Sequence, residues 1–220
     1  MAKRLNWLPG FLAIFAFMKV IAVARNYADH AKELNNPVPT EPIIFMKPAS
    51  SVVLDGEPFY IPDFSKEIHY EAEIVLHLCK NGRQVKEKFA ADYYDNITLG
   101  VDFTARDLQK KQKETGLPWE IAKSFDKSAP IGEWIPKSEF PDLYNIGFSL
   151  KKNGNVVQEG NTGAMLFRFE PLIVYTSQFF TLNIHDIFFT GTPPGVGAIT
   201  KGDHLEGFIE NRKVFDCRIM

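Results

Sequence analysis

The chain has 220 residues, a formal net charge of −2 and 45% hydrophobic residues. This near-neutral balance, with basic residues spread along the chain, argues against a partner that is nucleic acid or an anionic membrane. The length allows a sizeable core without disulfide staples. Cys79 and Cys217 are not spaced with histidines as zinc ligands, and free thiols fit a reducing, cytoplasmic setting.

At the start, Lys3 and Arg4 precede an apolar run over residues 5–17. The run resembles the front of an export signal but ends in the bulky Phe15 and Phe17, which spoil a cleavage site. It is too short for an ordinary transmembrane helix. Residues 1–17 therefore read as an upstream extension, and residues 18–220 as one domain. Strands are expected over 19–23, 42–46, 71–78, 96–101, 144–150, 155–159, 186–190, 205–210 and 213–218. Helices are expected over 26–34, 104–115 and 163–178, the last with Asn161 and Thr162 as caps. Turn chemistry marks Leu54-Asp55-Gly56, Lys80-Asn81-Gly82 and Lys152-Asn153-Gly154. The two Asn-Gly pairs, flanked by β-formers, predict hairpins. The result is a mainly β, α+β domain with a few helices.

Residues with chemistry fall at the ends of these elements. In a strand, Glu71 and Glu73 project to one face. Two adjacent carboxylates repel unless a cation lies between them, and oxygen-only ligands suit Mg²⁺, Ca²⁺ or Mn²⁺. The plain alternative is a solvated strand face. Asp102, at the end of an apolar strand, offers a third oxygen, or else caps the following helix. Arg106 and Gln109 share a face of that helix. Arg106 is suited to gripping a substrate carboxylate, or else pairs at the surface with Asp102 or Asp107. His30 and Glu33, at i and i+3, can form a carboxylate–imidazole pair that acts as a general base. Lys123 sits among apolar and small residues. There it could polarise a carbonyl, or simply pair with Asp126 or Glu120. The segment Thr190-Gly191-Thr192-Pro193-Pro194-Gly195-Val196-Gly197 lacks the ending of a P-loop. Its glycines allow close approach of backbone N–H groups to a carboxylate, or a rigid turn.

Together the segments Arg25-Asn26-Tyr27-Ala28-Asp29-His30, Phe45-Met46-Lys47-Pro48-Ala49-Ser50-Ser51 and His69-Tyr70-Glu71-Ala72-Glu73 follow a recognisable order. They continue with Gly100-Val101-Asp102-Phe103-Thr104-Ala105-Arg106-Asp107-Leu108-Gln109, Ala122-Lys123-Ser124-Phe125-Asp126, Gly160-Asn161-Thr162 and the glycine loop. From Met18 to Met220 the chain resembles the fumarylacetoacetate hydrolase family, and more closely its short single-domain acylpyruvase and oxaloacetate decarboxylase type. The resemblance implies a mixed β-roll and a homodimer. It implies Mg²⁺, or Mn²⁺ or Ca²⁺, on Glu71, Glu73 and Asp102. It makes His30 and Glu33 a water-activating pair on a lid helix, and Lys123 the catalytic lysine. Arg106, Gln109 and Thr192 match substrate-contacting positions, with Arg25 and Lys47 as further candidates. The implied reaction cleaves the C3–C4 bond of a small 2-oxo or 2,4-dioxo acid. Two alternatives stand beside it: an isomerase or tautomerase of 2-hydroxy-dienoates or oxaloacetate on the same metal, and a non-catalytic protein that binds metal and oxo acids. Tyr70, Phe103 and Gly163-Ala164 depart from the family pattern and blur the choice of substrate.

Overall fold

In the computed structural model, which describes residues 18–33, 36–54 and 56–220, the apolar runs become the strands of two packed sheets. The extension expected over residues 1–17 lies outside the described residues. In chain order the elements are β1 (Val20–Ala24), α1 (Ala28–Glu33), β2 (Ile43–Lys47), β3 (Val52–Val53), β4 (Ile68–Tyr70), β5 (Ala72–Leu78) and α2 (Glu87–Ala90). Next come β6 (Tyr94–Val101), β7 (Thr104–Ala105), α3 (Arg106–Thr115), α4 (Glu120–Lys123), β8 (Ala129–Pro130) and β9 (Ile135–Pro136). The chain closes with β10 (Gly147–Lys152), β11 (Asn155–Asn161), α5 (Phe169–Phe179), β12 (Ile187–Phe189), β13 (Gly197–Ala198), β14 (His204–Ile209) and β15 (Arg212–Arg218).

The larger sheet runs β2-β1-β12-β5-β6-β9. β1 and β12 pair in parallel, and the other neighbours are antiparallel. Both faces of this sheet are covered, which is why its strands read as continuous apolar runs rather than alternating ones. In β12, Phe188 packs into the main core and Phe189 into a smaller core on the opposite face with Val20, Ala22 and Ile131. Each such burial is worth about 1.5–3 kcal/mol. The second sheet, β11-β10-β14-β15, is antiparallel, and β14 alternates buried and half-buried residues, as a one-sided strand does. It meets the first sheet where Gly207 faces Leu99. A Cβ at Gly207 would lie 2.2 Å from Leu99 Cδ2, so only glycine permits the approach.

The two Asn-Gly turns have different fates. Asn153 and Gly154 take φ of 54° and 81° and close the β10–β11 hairpin as predicted. Asn81-Gly82 makes no hairpin. Gly82 exchanges both backbone hydrogen bonds with Leu182, and Asn81 Oδ1 accepts from the Ile184 amide. The third helix is also shorter at its start than predicted. Asn161 does cap, but it caps a single 3-10 turn over Thr162–Ala164, and α5 begins only at Phe169. Leu166 and Phe167 intervene, their amides donating to Asn26 O and Asn26 Oδ1 at 2.8 Å each. The short strands β3, β4, β7, β8, β9 and β13 and the one-turn helices α2 and α4 carry too few residues for a periodic signal. The small β13-β4-β7 sheet brings the chain just before Glu71 beside the chain just after Asp102.

Candidate metal centre and active site

Strand register assembles the carboxylates. Glu73 pairs with Gly100 across β5 and β6, and the Asp102 amide donates to Glu71 O at 2.8 Å. Oxygens of Glu71, Glu73 and Asp102 consequently lie within 4.8 Å of one another, all three residues buried. Asp102 does not cap α3. The helix begins after Ala105, which gives no side-chain cap. The solvated strand face is equally absent, because Glu71 and Glu73 are 6% and 2% exposed.

Basic groups surround the cluster. Lys123 Nζ donates to Glu71 Oε2 and Asp102 Oδ2, both at 2.7 Å, rather than to Asp126 or Glu120. Lys47 Nζ lies 2.7 Å from Asp102 Oδ1 but without hydrogen-bond alignment, so this buried oxygen accepts no hydrogen bond. Lys47 instead donates to Ser128 Oγ at 2.9 Å and to the carbonyls of Ser128 and Lys123. Arg106 pairs with Glu71 and donates to Gln109 Oε1 at 2.6 Å, not to Asp107. Burial alone would raise the Glu71 pKa, but Lys123, Arg106 and His30 hold it well below the ordinary value. Glu73 goes the other way. Burial, then Asp102 and Glu71, push its carboxyl well up, against a single 2.6 Å hydrogen bond from the Gly191 amide. Burial lowers the Lys47 pKa, whereas Asp102 and Glu71 outweigh burial at Lys123 and raise it.

The glycine loop supports this arrangement through its backbone. Gly191, at φ 101°, presents its amide to Glu73, and a Cβ there would strike Asn26 Cβ at 2.6 Å. Gly195, at φ 99°, donates to Glu33 Oε1 at 3.0 Å. The second Glu33 oxygen contacts His30 Nδ1 at 3.1 Å. Glu33 thereby joins α1 to the loop while orienting the buried His30. Thr192 is buried and its hydroxyl accepts from Gln158 Nε2 at 2.9 Å. Just before α1, Arg25 sits at φ 60°, a costly conformation for a side-chain-bearing residue. The fully buried Asn26 holds it there by donating to Thr190 O and Phe167 O at 2.8 Å each. The three carboxylates open onto a narrow cleft that is also lined by Arg25, His30, Arg106, Gln109, Lys123 and Thr192. Of the candidate residues, Glu33 and Lys47 stand behind this lining, each one contact away.

The fumarylacetoacetate (FAA) hydrolase C-terminal family model matches residues 19–219. The chain belongs to the fumarylacetoacetate hydrolase family. It is 40% identical over 190 residues to the mitochondrial oxaloacetate tautomerase FAHD1 of Bos taurus, covering 86% of each chain. It is 44% identical over 189 residues to the mitochondrial oxaloacetate decarboxylase of Dictyostelium discoideum, covering 86% of this chain and 87% of the relative. The crystal structure of fumarylpyruvate hydrolase from Pseudomonas aeruginosa, in complex with Mn²⁺ and pyruvate, superposes with a TM-score of 0.86 at 35% identity, covering 92% and 89% of the two chains. The mixed α+β architecture is that of this family.

Within this fumarylacetoacetate hydrolase fold the donor set fits a hard divalent ion. It is all oxygen, it is buried, one Asp102 oxygen accepts no hydrogen bond, and the raised Glu73 carboxyl marks negative charge in want of a cation. A second acidic group, His204, Glu206 and Asp216, differs in kind. It is partly exposed, and Lys213 already pairs with both of its carboxylates. Sequence reasoning missed Lys113, Trp119, Phe45 and Asn36, which also line the cavity. Lys113 had a readable signal: Arg106, Gln109 and Lys113 follow i, i+3, i+7 spacing along α3. Among the described residues, no helix is long and apolar enough to cross a membrane.

Proposed function

We propose that residues 18–220 form a divalent-metal-dependent hydrolase/lyase domain that cleaves the C3–C4 bond of small 2-oxo acids, by acylpyruvate hydrolysis and oxaloacetate decarboxylation. The observation that carries this reading is the convergence of three buried carboxylates beside an oriented imidazole. Glu71, Glu73 and Asp102 would hold Mg²⁺, with Mn²⁺ or Ca²⁺ as substitutes, and the ion when bound supplies Lewis-acid stabilisation of negative charge at the 2-oxo oxygen.

The chain's own groups supply the rest. Arg106 and Gln109, already joined, orient the 1-carboxylate, and Thr192 closes on it from the loop. Arg25 and Lys47 serve binding and charge balance. Glu33, accepting from His30 Nδ1, leaves the other ring nitrogen free to take a proton from water. The resulting hydroxide attacks C4 of a 2,4-dioxo acid. Lys123, kept cationic by its carboxylate partners, donates to the C4 oxygen as charge develops there. The C3–C4 electron pair moves toward C2, and enolpyruvate and a carboxylic acid leave. Oxaloacetate already carries a carboxylate at C4, so CO₂ departs without added water. The likeness to an oxaloacetate tautomerase favours a second reading, in which His30 moves a proton between C3 and the 2-oxo oxygen. The homodimer and a cytoplasmic setting belong to the same proposal.

Product analysis on acetylpyruvate and oxaloacetate, with and without chelator, tests it. Glu71→Ala should abolish metal binding and turnover. His30→Ala should reduce acetylpyruvate hydrolysis far more than oxaloacetate decarboxylation. A fully active Glu71→Ala protein in chelator would overturn the scheme.

A further inference from the structure

Thr192 enters the proposed chemistry as a group that grips the substrate carboxylate, and a hydroxyl does so only with its proton turned into the cleft. What turns it there belongs to the second sheet. Leu150 pairs with Gln158 but Lys151 pairs with Val156, so Val157 is an extra residue and β11 bulges. Gln158, beside the bulge, is the one buried side chain of the strand, 2% exposed. It leaves its own sheet and reaches the larger one. There Gln158 Oε1 accepts from the amide of Ala72, the residue between Glu71 and Glu73, at 2.9 Å. Gln158 Nε2 donates to Thr192 Oγ1 at 2.9 Å and to the Pro193 carbonyl at 3.0 Å.

These partners leave the amide one orientation. The Ala72 N–H can only donate and the Pro193 carbonyl can only accept, so a flipped Gln158 would lose both bonds. The fixed amide in turn fixes the hydroxyl. Thr192 Oγ1 accepts a proton from Gln158 and keeps its own to give. Among the described residues that proton meets only the Pro193 carbonyl, at 3.4 Å. This is long for an O–H···O bond, and Gln158 already occupies that oxygen. Thr192 lines the cleft beside Glu73, Asp102 and Arg106, so an anion bound there is the better acceptor.

We infer that Gln158 is a positioning residue for the substrate. It sets the Thr192 hydroxyl as a donor into the cleft and holds the glycine loop in register with the strand that carries Glu71 and Glu73. The inference rests on the proposed 2-oxo-acid function and adds to it a residue outside the lining of the cleft.

The test titrates pyruvate into the Mn²⁺-loaded full chain by calorimetry. Thr192→Val removes the donor and should weaken pyruvate binding by about tenfold, as loss of a hydrogen bond to a charged group does. Thr192→Ser should retain the wild-type affinity. Gln158→Glu keeps an acceptor for Ala72 but, ionised, draws the hydroxyl proton to itself, and should also lose about tenfold. Neutral Gln158→Met should weaken pyruvate binding without lowering Mn²⁺ affinity. Adding Gln158→Met to Thr192→Val should lose nothing more, because the effect passes through that hydroxyl. Wild-type pyruvate affinity in Thr192→Val, additive losses in the double variant, or an equal loss of Mn²⁺ and pyruvate affinity in Gln158→Met overturns the positioning role alone. No binding of pyruvate by the Mn²⁺-loaded wild type overturns the functional reading and the positioning role with it.

Discussion

Glu73→Gln separates what this carboxyl costs the metal-free fold from what it contributes to metal binding. In the metal-free protein its pKa lies well above the ordinary 4.5, because it is buried beside Asp102 and Glu71. A carboxyl whose folded pKa exceeds its unfolded one favours the fold while protonated. That contribution is lost as pH rises from 4.5 toward the raised value, at up to about 1.4 kcal/mol per pH unit. Glutamine has nearly the same shape, cannot ionise, and can still accept from the Gly191 amide. Metal-free Glu73→Gln should therefore melt no lower than wild type at pH 8, with a flatter pH dependence below that. Metal reverses the ranking. Mn²⁺ at a hundredfold excess over its Kd stabilises the wild type by about 2.7 kcal/mol. For a chain of this size that corresponds to a rise in Tm of about 5–11 °C. The variant, with one anionic ligand replaced by an amide, should lose most of that rise. Scanning calorimetry in chelator and in Mn²⁺ measures both effects. An undiminished Mn²⁺ shift in the variant would refute the assignment of Glu73 as a ligand. A metal-free variant that melts well below wild type would refute the electrostatic reasoning.

One further outcome follows from a buried group. The Tyr27 hydroxyl is buried without a hydrogen-bond partner, while its ring packs edge-on against Phe148. Tyr27→Phe keeps the packing and removes the unsatisfied group, so urea denaturation of the metal-free protein should show a gain of up to about 1–3 kcal/mol, and a loss would mean that the hydroxyl is bonded in solution.

Much of the site was visible in the sequence as fragments rather than as a place. Alternation puts Glu71 and Glu73 on one face, but only the β5–β6 register brings Asp102 to them. The same register carries Asp102 away from the helix-cap role, a choice that local sequence leaves open because Asp suits both a cap and a carboxylate cluster. The Asn153-Gly154 and Asn81-Gly82 turns carry the same dipeptide, yet only the first lies between strands long enough to pair. At Gly82 a Cβ would fall 2.4 Å from the Tyr93 hydroxyl oxygen, so that glycine answers to a distant side chain and not to its own turn. The late start of α5 likewise follows from Asn26, which claims the Phe167 amide from far along the chain. Lys113 continues a spacing that Arg106 and Gln109 begin, and its place in the cavity was legible from helix periodicity alone.

The two halves of the site are anchored differently. Glu71, Glu73 and Asp102 take their positions from main-chain pairing deep in the larger sheet, whereas His30 and Glu33 ride on a six-residue helix, too short to persist by itself. Because Glu33 reaches across to Gly195, one side chain both aims the imidazole and ties that helix down. A change confined to that short helix therefore leaves the three carboxylates where the sheet sets them.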